Sequence, residues 1–366
     1  MRHSVVELDL DRFTDNVRAI RASLSADVDL IQVIKANAYG HGVEWIAPAS
    51  VSAGIRTFSV AHAEEAFELR RLCGDEIRVI LLGVGADEEL RQLSSKSVEV
   101  MIPDELTLRR YEAICRKQQI VLRAHVKVDT GMGRFGVLWQ EAPALLDACR
   151  QSEAVSLVGL CSHFASADGN EPFSLMQLDR FREVVKNTEG PELFRHMSNT
   201  AGFQHISGAD FDAIRIGVGL LGYDCGVGPV RADVFPVLSW HTTIAQIREL
   251  PKGATVGYGS TFVAPRSIRV AVCNIGYADG FPRGLSDEAY VLIRGKRCPV
   301  LGRVSMNWIT VDVSNCENLE VADPVCLIGR MGSEVLTADD LARWADTIVY
   351  DVLTAIKPSE TRVLAG

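Results

Sequence analysis

A chain of 366 residues is long for one ordinary domain and comfortable for two, although a barrel can take about 250 by itself. Hydrophobic residues make up 47% and charged residues 23%, which excludes disorder, collagen and coiled coil and leaves ample core. Lys plus Arg number 38 against 47 Asp plus Glu, a formal charge of −9 that argues against nucleic acid or anionic membrane as a partner.

The N-terminus, Met-Arg-His-Ser-Val-Val-Glu-Leu-Asp, carries acids that break any signal-peptide core. No stretch of about 18 apolar residues follows, so no membrane span is expected. From residue 28 to 217, short β-rich runs alternate with amphipathic segments. Eight strands are predicted: Leu30–Ile34, Ile55–Val60, Ile77–Leu82, Val98–Ile102, Leu122–Val128, Ser156–His163, Leu193–Met197 and Ala213–Ile216. They are apolar on both faces, as in Val79-Ile80-Leu81-Leu82, which suits parallel strands covered by helices. Helices are predicted between them at Ala63–Leu72, Pro103–Lys117, Trp139–Cys149 and Phe173–Val185. The pattern is α/β and argues a (β/α)8 barrel, with a doubly wound sheet as the alternative on periodicity alone.

Past residue 230 the texture changes to Ser239–Glu249, Ile268–Asn274, Ala289–Ile293 and Ile309–Val313, strand-like runs divided by Gly and Pro turns. One helix, Thr337–Ala345, opens on a capping Thr337 followed by Asp339 and Asp340. The expected organisation is a barrel over residues 1–232 and a mostly antiparallel β domain over 233–366. The nine cysteines, at 73, 115, 149, 161, 225, 273, 298, 316 and 326, form no CxxC pair. They read as buried reduced thiols in a cytoplasmic protein.

In a barrel, chemistry sits where strands end. One strand runs into Lys35-Ala-Asn37-Ala-Tyr39-Gly40-His41-Gly42, and another into Lys127-Val-Asp129-Thr-Gly131-Met-Gly133-Arg134. Three more end in His163, Ser198-Asn199-Thr200 and Arg215-Ile-Gly217-Val218-Gly219. So many cations on one rim imply a small anionic ligand such as a phosphate compound. Lys35 follows the apolar run Ile31–Ile34, and its amine, set among other cations, is suited to Schiff-base chemistry; the alternative is a rim lysine paired with an acid. Gly217-Val-Gly219-Leu-Leu-Gly222 fits a dinucleotide fingerprint literally, but no βαβ unit follows, and it reads better as a barrel's phosphate loop. HExxH and GxSxG are absent and the eight histidines show no metal-ligand spacing, so neither a metal site nor an α/β-hydrolase is expected. In the β domain, Tyr258 stands between Gly257 and Gly259, Tyr277 follows Gly276, and Ser305-Met306-Asn307 follows Gly302. A tyrosine between glycines is usually a turn residue; two in one domain raise the question of an acid/base role.

Taken together, these blocks resemble the alanine racemase family of fold-type III pyridoxal-phosphate enzymes. Val33-Ile-Lys35-Ala-Asn-Ala-Tyr39-Gly-His-Gly42 is similar to its cofactor-attachment signature. His125-Val-Lys127-Val-Asp-Thr-Gly-Met-Gly-Arg134-Phe-Gly136, Ser162-His163-Phe164-Ala165, His196-Met-Ser-Asn199-Thr200-Ala201, Arg215-Ile-Gly217, Val256-Gly-Tyr258-Gly259 and Gly276-Tyr277-Ala-Asp-Gly280 resemble further blocks in family order.

The resemblance implies interconversion of L- and D-alanine with pyridoxal 5'-phosphate in a homodimer. Lys35 would carry the cofactor and act as one acid/base, and Tyr258 from the second subunit as the other. Arg215 would face the pyridine nitrogen, supported by His163. Tyr39, Asn199, Thr200, Gly217 and Val218 would hold the cofactor, mostly at its phosphate. Arg134 would approach the cofactor phenolate and the substrate carboxylate. Met306 and Tyr277 would reach in from the partner. Lys127 matches a lysine that is carbamylated in some relatives.

The physics agrees with these roles. Inverting a carbon needs a base on each face, and a cationic pocket favours neutral lysine and tyrosinate. A guanidinium, with a pKa above about 12, does not protonate the ring nitrogen, which leaves a weaker electron sink and favours return of the proton to Cα over transamination. The chain departs from the family pattern at Thr200, where serine is common, at Ser305 and Asn307, and across Ile356-Lys-Pro-Ser-Glu-Thr361. Serine or a broader amino-acid range therefore stays open, as do a lyase or decarboxylase on the same barrel and a non-catalytic cofactor carrier.

Overall fold

The protein is described from a computed structural model over residues 4–188, 193–224 and 230–364. It divides into two compact units. One holds Asp11–Ala38 and Gly42–Phe235; the other holds the N-terminal residues to Leu10, Tyr39–His41 and the chain from Pro236 onward.

Strand β1 (Val5–Asp9) belongs to the second unit. The first unit contains β2 (Asp29–Val33), β3 (Thr57–Val60), β4 (Arg78–Leu81), β5 (Val98–Ile102), β6 (Leu122–Asp129), β7 (Val137–Leu138), β8 (Val155–Cys161), β9 (Phe194–His196) and β10 (Ala213–Ile216). Leaving aside the two-residue β7, which pairs with the end of β6, eight parallel strands run in the order β2-β3-β4-β5-β6-β8-β9-β10, and β10 pairs back to β2. This is the closed barrel expected from the sequence, one strand for each predicted run. Every residue of β3, β5 and β10 is buried, as both-sided apolar runs require when helices cover the outside.

The helices begin where their caps are. Asp104 accepts from the Thr107 N–H at 2.6 Å, so the helix starts at Glu105 and Pro103 lies outside it. Asn170 does the same for Glu171–Lys186, accepting from Phe173 N at 3.1 Å. The helix expected from Trp139 starts at Ala142, with Pro143 in its first turn.

One irregularity positions chemistry. Along β6 and β8, Ala124 pairs with Leu157 but His125 pairs with Gly159, so the register slips by one residue at His125. A methyl group on Gly159 would sit 2.0 Å from His125 Nδ1. Only glycine leaves room for that ring.

The second unit adds β11 (Leu238–Leu250), β12 (Thr255–Val256), β13 (Phe262–Val263), β14 (Ile268–Cys273), β15 (Tyr290–Ile293), β16 (Lys296–Leu301), β17 (Ile309–Asp312), β18 (Pro324–Met331), β19 (Glu334–Leu336) and β20 (Glu360–Leu364). Its main sheet is ordered β19-β18-β15-β16-β17-β14-β11-β1-β20 and is antiparallel except between β1 and β20. The line expected at 232/233 thus meets a sheet that draws β1 from the far end of the chain. Alternate residues of β11 are buried from Leu238 to Ile244, and Trp240 in this row donates to Ser4 Oγ at 2.9 Å. The predicted helix runs Ala338–Trp344, with Thr337 Oγ1 accepting from Asp340 N and Asp340 Oδ2 accepting from Thr337 N.

Eight cysteines are free, all buried except the half-buried Cys73; Cys225 lies outside the described residues. Burial pushes the Cys149, Cys273 and Cys326 thiols up to about 12, so they stay protonated at neutral pH. Among the described residues no helix is long and apolar enough to cross a membrane.

Candidate active site

β2 delivers the chain to Lys35, and the next four residues turn the wrong way. Ala36, Asn37, Ala38 and Tyr39 all have φ between 51° and 55°, a left-handed turn built without glycine. Such a conformation costs roughly 1–2 kcal/mol per residue. The surroundings enforce it. Glu65 accepts the Ala36 N–H at 2.6 Å through one oxygen, and the Ala61 and His62 N–H groups at 2.8 and 3.1 Å through the other. Asn37 accepts from Gly42 N at 3.0 Å with its carbonyl and from Val43 N at 2.8 Å with its side chain. Burial lowers the Lys35 pKa, the Arg134 charge lowers it further, and Glu65 only partly opposes them. The amine is thereby brought toward its neutral, nucleophilic form.

The Arg134 loop is shaped by Asp129. Its carboxylate accepts from Gly131 N and Met132 N, both at 2.8 Å, and from Gly133 N at 3.0 Å. Lys127 lies on β6. Burial is the main cause that brings its pKa to about 8, and the Arg215 and Arg134 charges push the same way.

Arg215, on β10 and only 4% exposed, is held by five acceptors. Its Nη1 donates to His196 Nδ1 at 2.5 Å and to His196 O at 3.0 Å. Its Nη2 donates to Ser162 O at 2.7 Å and to His163 Nδ1 and Met197 O at 2.9 Å. Among the described residues nothing accepts its Nε–H. His163 and His196 are held well below the usual histidine pKa, first by burial and then by the Arg215 charge, so both are neutral acceptors.

Asn199 caps the short helix Thr200–His205, accepting from Gly202 N at 2.8 Å, which fixes the buried Thr200 at its start. Gly217 and Val218 open the 3-10 turn Val218–Leu221, whose first N–H groups have no acceptor inside the turn. Lys35, Lys127, Arg134, His163, Asn199, Thr200, Arg215, Gly217 and Val218 all belong to the first unit.

The second unit carries the others. Tyr39 is buried there, edge-on to Tyr350 with ring centroids 5.8 Å apart. Three glycine-bearing turns are stitched into one patch. Tyr277 N donates to Ser305 O at 3.1 Å and Ala278 N to Met306 O at 2.9 Å. Gly302, with φ 71°, lies so close to Val256 that a methyl group there would meet Val256 O at 2.5 Å. The turns present Tyr258, 72% exposed, and Met306, 55% exposed, together with the exposed Tyr277 and Trp308.

Sequence reasoning gave no role to Glu65, Glu99, His125, His196 or Trp308. His125 and His196 stand inside two of the blocks that carried the resemblance, and their strand positions were the available signal. Glu99 is a lone acid in the apolar run Val98–Ile102.

Residues 8–225 match the family profile "Alanine racemase, N-terminal domain" and residues 237–364 match "Alanine racemase, C-terminal domain". The chain is 34% identical over 360 residues to the alanine racemase of Halothermothrix orenii, covering 97% of this chain and 95% of that one. It is 35% identical over 361 residues to that of Syntrophobacter fumaroxidans, covering 97% and 96%. Its fold is similar to the alanine racemase of Bacillus anthracis solved with bound L-Ala-P, with a TM-score of 0.92, 29% identity and coverage of 100% and 96%. It is similar, at a TM-score of 0.90, 27% identity and full coverage of both chains, to the alanine racemase of Bartonella henselae with covalently bound pyridoxal phosphate. With both halves matched in order and the geometry in agreement, the chain belongs to the alanine racemase family.

Proposed function

We propose that this chain, an alanine racemase that works with pyridoxal 5'-phosphate, inverts alanine with two bases: Lys35 on one face of the substrate and Tyr258 from a second copy of the chain on the other. The observation that carries the reading is Arg215. Five protein acceptors occupy its two terminal nitrogens, and its Nε–H is left to meet a ring nitrogen. Pyridoxal phosphate, when bound through an amine, withdraws electrons from the neighbouring Cα and makes its proton removable.

Lys35 provides that amine, and its lowered pKa suits it to take and return a proton at Cα. Arg215 offers the ring nitrogen a hydrogen bond but no proton, because a guanidinium does not deprotonate. Charge at Cα is then short-lived, which favours reprotonation there. Thr200, Gly217 and Val218 offer hydroxyl and backbone donors to the phosphate, with Asn199 fixing Thr200. Arg134 pairs with the substrate carboxylate. The exposed patch of Tyr258, Tyr277, Met306 and Trp308 supports a homodimer in which these side chains complete the partner's site. Lys127, with a pKa of about 8, keeps a share of neutral amine that carbon dioxide can carbamylate. Free, buried thiols support a reducing compartment such as the cytoplasm.

Incubation of the enzyme and cofactor with L-alanine should yield D-alanine by chiral analysis, and more slowly if at all D-serine from L-serine. Borohydride should fix the cofactor on Lys35, and Lys35→Ala should lose both label and racemisation. Keto acid or decarboxylated amine as the main product would overturn the reading.

A further inference from the structure

A buried chain of hydrogen bonds crosses the barrel behind Arg215. Arg215 Nη1 donates to His196 Nδ1 at 2.5 Å, His196 Nε2 lies 3.0 Å from His125 Nδ1, and His125 Nε2 lies 2.7 Å from Glu99 Oε2. His125 and His196 are fully buried and Glu99 is 1% exposed. A neutral imidazole has one donor and one acceptor. Arg215 can only donate, so His196 accepts at Nδ1 and carries its proton at Nε2. It donates that proton to His125 Nδ1, and His125 then carries its own proton at Nε2. At the far end the carboxylate can only accept. The two termini therefore allow one direction of bonding throughout.

We propose that Glu99 is a positioning residue for Arg215: its carboxylate locks the tautomers of His125 and His196 so that Arg215 is gripped by an acceptor at Nη1 and turned to offer its Nε–H. The inference rests on the reading of Arg215 as the ring nitrogen's partner.

The site is built for this. Glu99 Oε2 also accepts from Arg78 Nε at 2.9 Å, and Oε1 accepts from Arg123 Nη2 at 2.8 Å. These cations keep the acid ionised within an apolar strand. Burial alone would raise its pKa, but His125 and Arg78 hold it at about 2. Independently, the register slip at His125 and the methyl-free Gly159 beside it make space for the ring that links the two ends.

The test is nitrogen NMR of histidine-labelled holoenzyme, repeated after the cofactor is removed, alongside kcat and KM. In the wild type His125 and His196 should both be protonated at Nε2. Glu99→Leu leaves the buried His125 Nε2–H without an acceptor, a cost that the opposite pair of tautomers escapes only by giving up the Arg215–His196 bond, so both rings should show mixed tautomers. kcat should then fall about 10–100-fold, as for other residues that orient a ligand, with KM little changed. Glu99→Gln can keep an oxygen toward His125; it should retain the tautomers and most of kcat although it loses the charge. A Glu99→Leu enzyme with unaltered tautomers, or with unaltered kcat, would overturn the proposal. So would equal losses of kcat in both variants that merely follow the folded fraction. Should Glu99→Leu not fold, Arg78→Met with Glu99→Leu removes the buried acid together with the less exposed of its two arginines, a replacement that is often tolerated, and the same criteria apply. A wild type that racemises nothing would instead refute the functional reading, which the tautomer measurement reports separately.

Discussion

Gly159→Ala probes the barrel interior most sharply. The added carbon would lie 2.0 Å from His125 Nδ1 and 2.3 Å from Cε1, whereas ordinary contact begins near ~3.5 Å. The ring would have to retreat by more than ~1 Å. It is pinned between Glu99 at 2.7 Å and His196 at 3.0 Å, so retreat breaks at least one of these bonds. Overpacking costs roughly 1–3 kcal/mol and a lost bond to a charged acceptor roughly 1.5–3 kcal/mol, for a sum of roughly 3–6 kcal/mol. At roughly 2–4 °C per kcal/mol, melting should fall by on the order of 10 °C. Scanning calorimetry checks this, with Gly169→Ala as control, because a methyl group there meets nothing within 4 Å. Melting of Gly159→Ala as high as that of the control would refute the packing argument.

Two further outcomes are expected. Ala36→Gly should relieve about 1 kcal/mol of left-handed strain and raise melting by a few degrees while lowering kcat, because the turn that holds Lys35 loosens; unchanged melting would show the turn to be unstrained. Lys127 has its folded pKa lowered to about 8, so between about pH 8 and 10.4 the unfolded chain binds a proton that the folded one does not. Stability from this group should therefore rise with pH across that window, by at most ~1.4 kcal/mol per unit, and its penalty is fully present below pH ~8. Denaturant unfolding of the wild type and Lys127→Met should converge as pH rises from 8 to 10; parallel curves would contradict the shift.

What the sequence made legible follows from the range of each interaction. The eight barrel strands were readable because a strand covered on both sides is a continuous apolar run, a property of five or so neighbouring residues. The rim cations were readable because a barrel places strand ends together. The left-handed turn was not: Ala-Asn-Ala-Tyr contains no glycine, and its hand is imposed by Glu65 and by the Gly42–Val43 backbone. Strand β1 pairs with β20, some 355 residues away, and local patterning carries no trace of that. In the sequence Glu99 is a single acid within an apolar run. Its meaning lies in Arg78, Arg123 and His125, which only barrel closure brings to it. Tyr258 was visible as a tyrosine between glycines, and its exposure explains why no core pattern accompanied it.

The most direct test of two-base inversion uses Tyr258→Phe in heavy water. Each alanine enantiomer is incubated separately with the variant and cofactor, and deuterium at Cα and configuration are read together. With only Lys35 left to move the proton, one enantiomer should exchange its Cα hydrogen with retention, the other should remain inert, and neither should invert at an appreciable rate. Continued inversion at the wild-type rate, or equal exchange from both enantiomers, would contradict the assignment of Lys35 and Tyr258 to opposite faces.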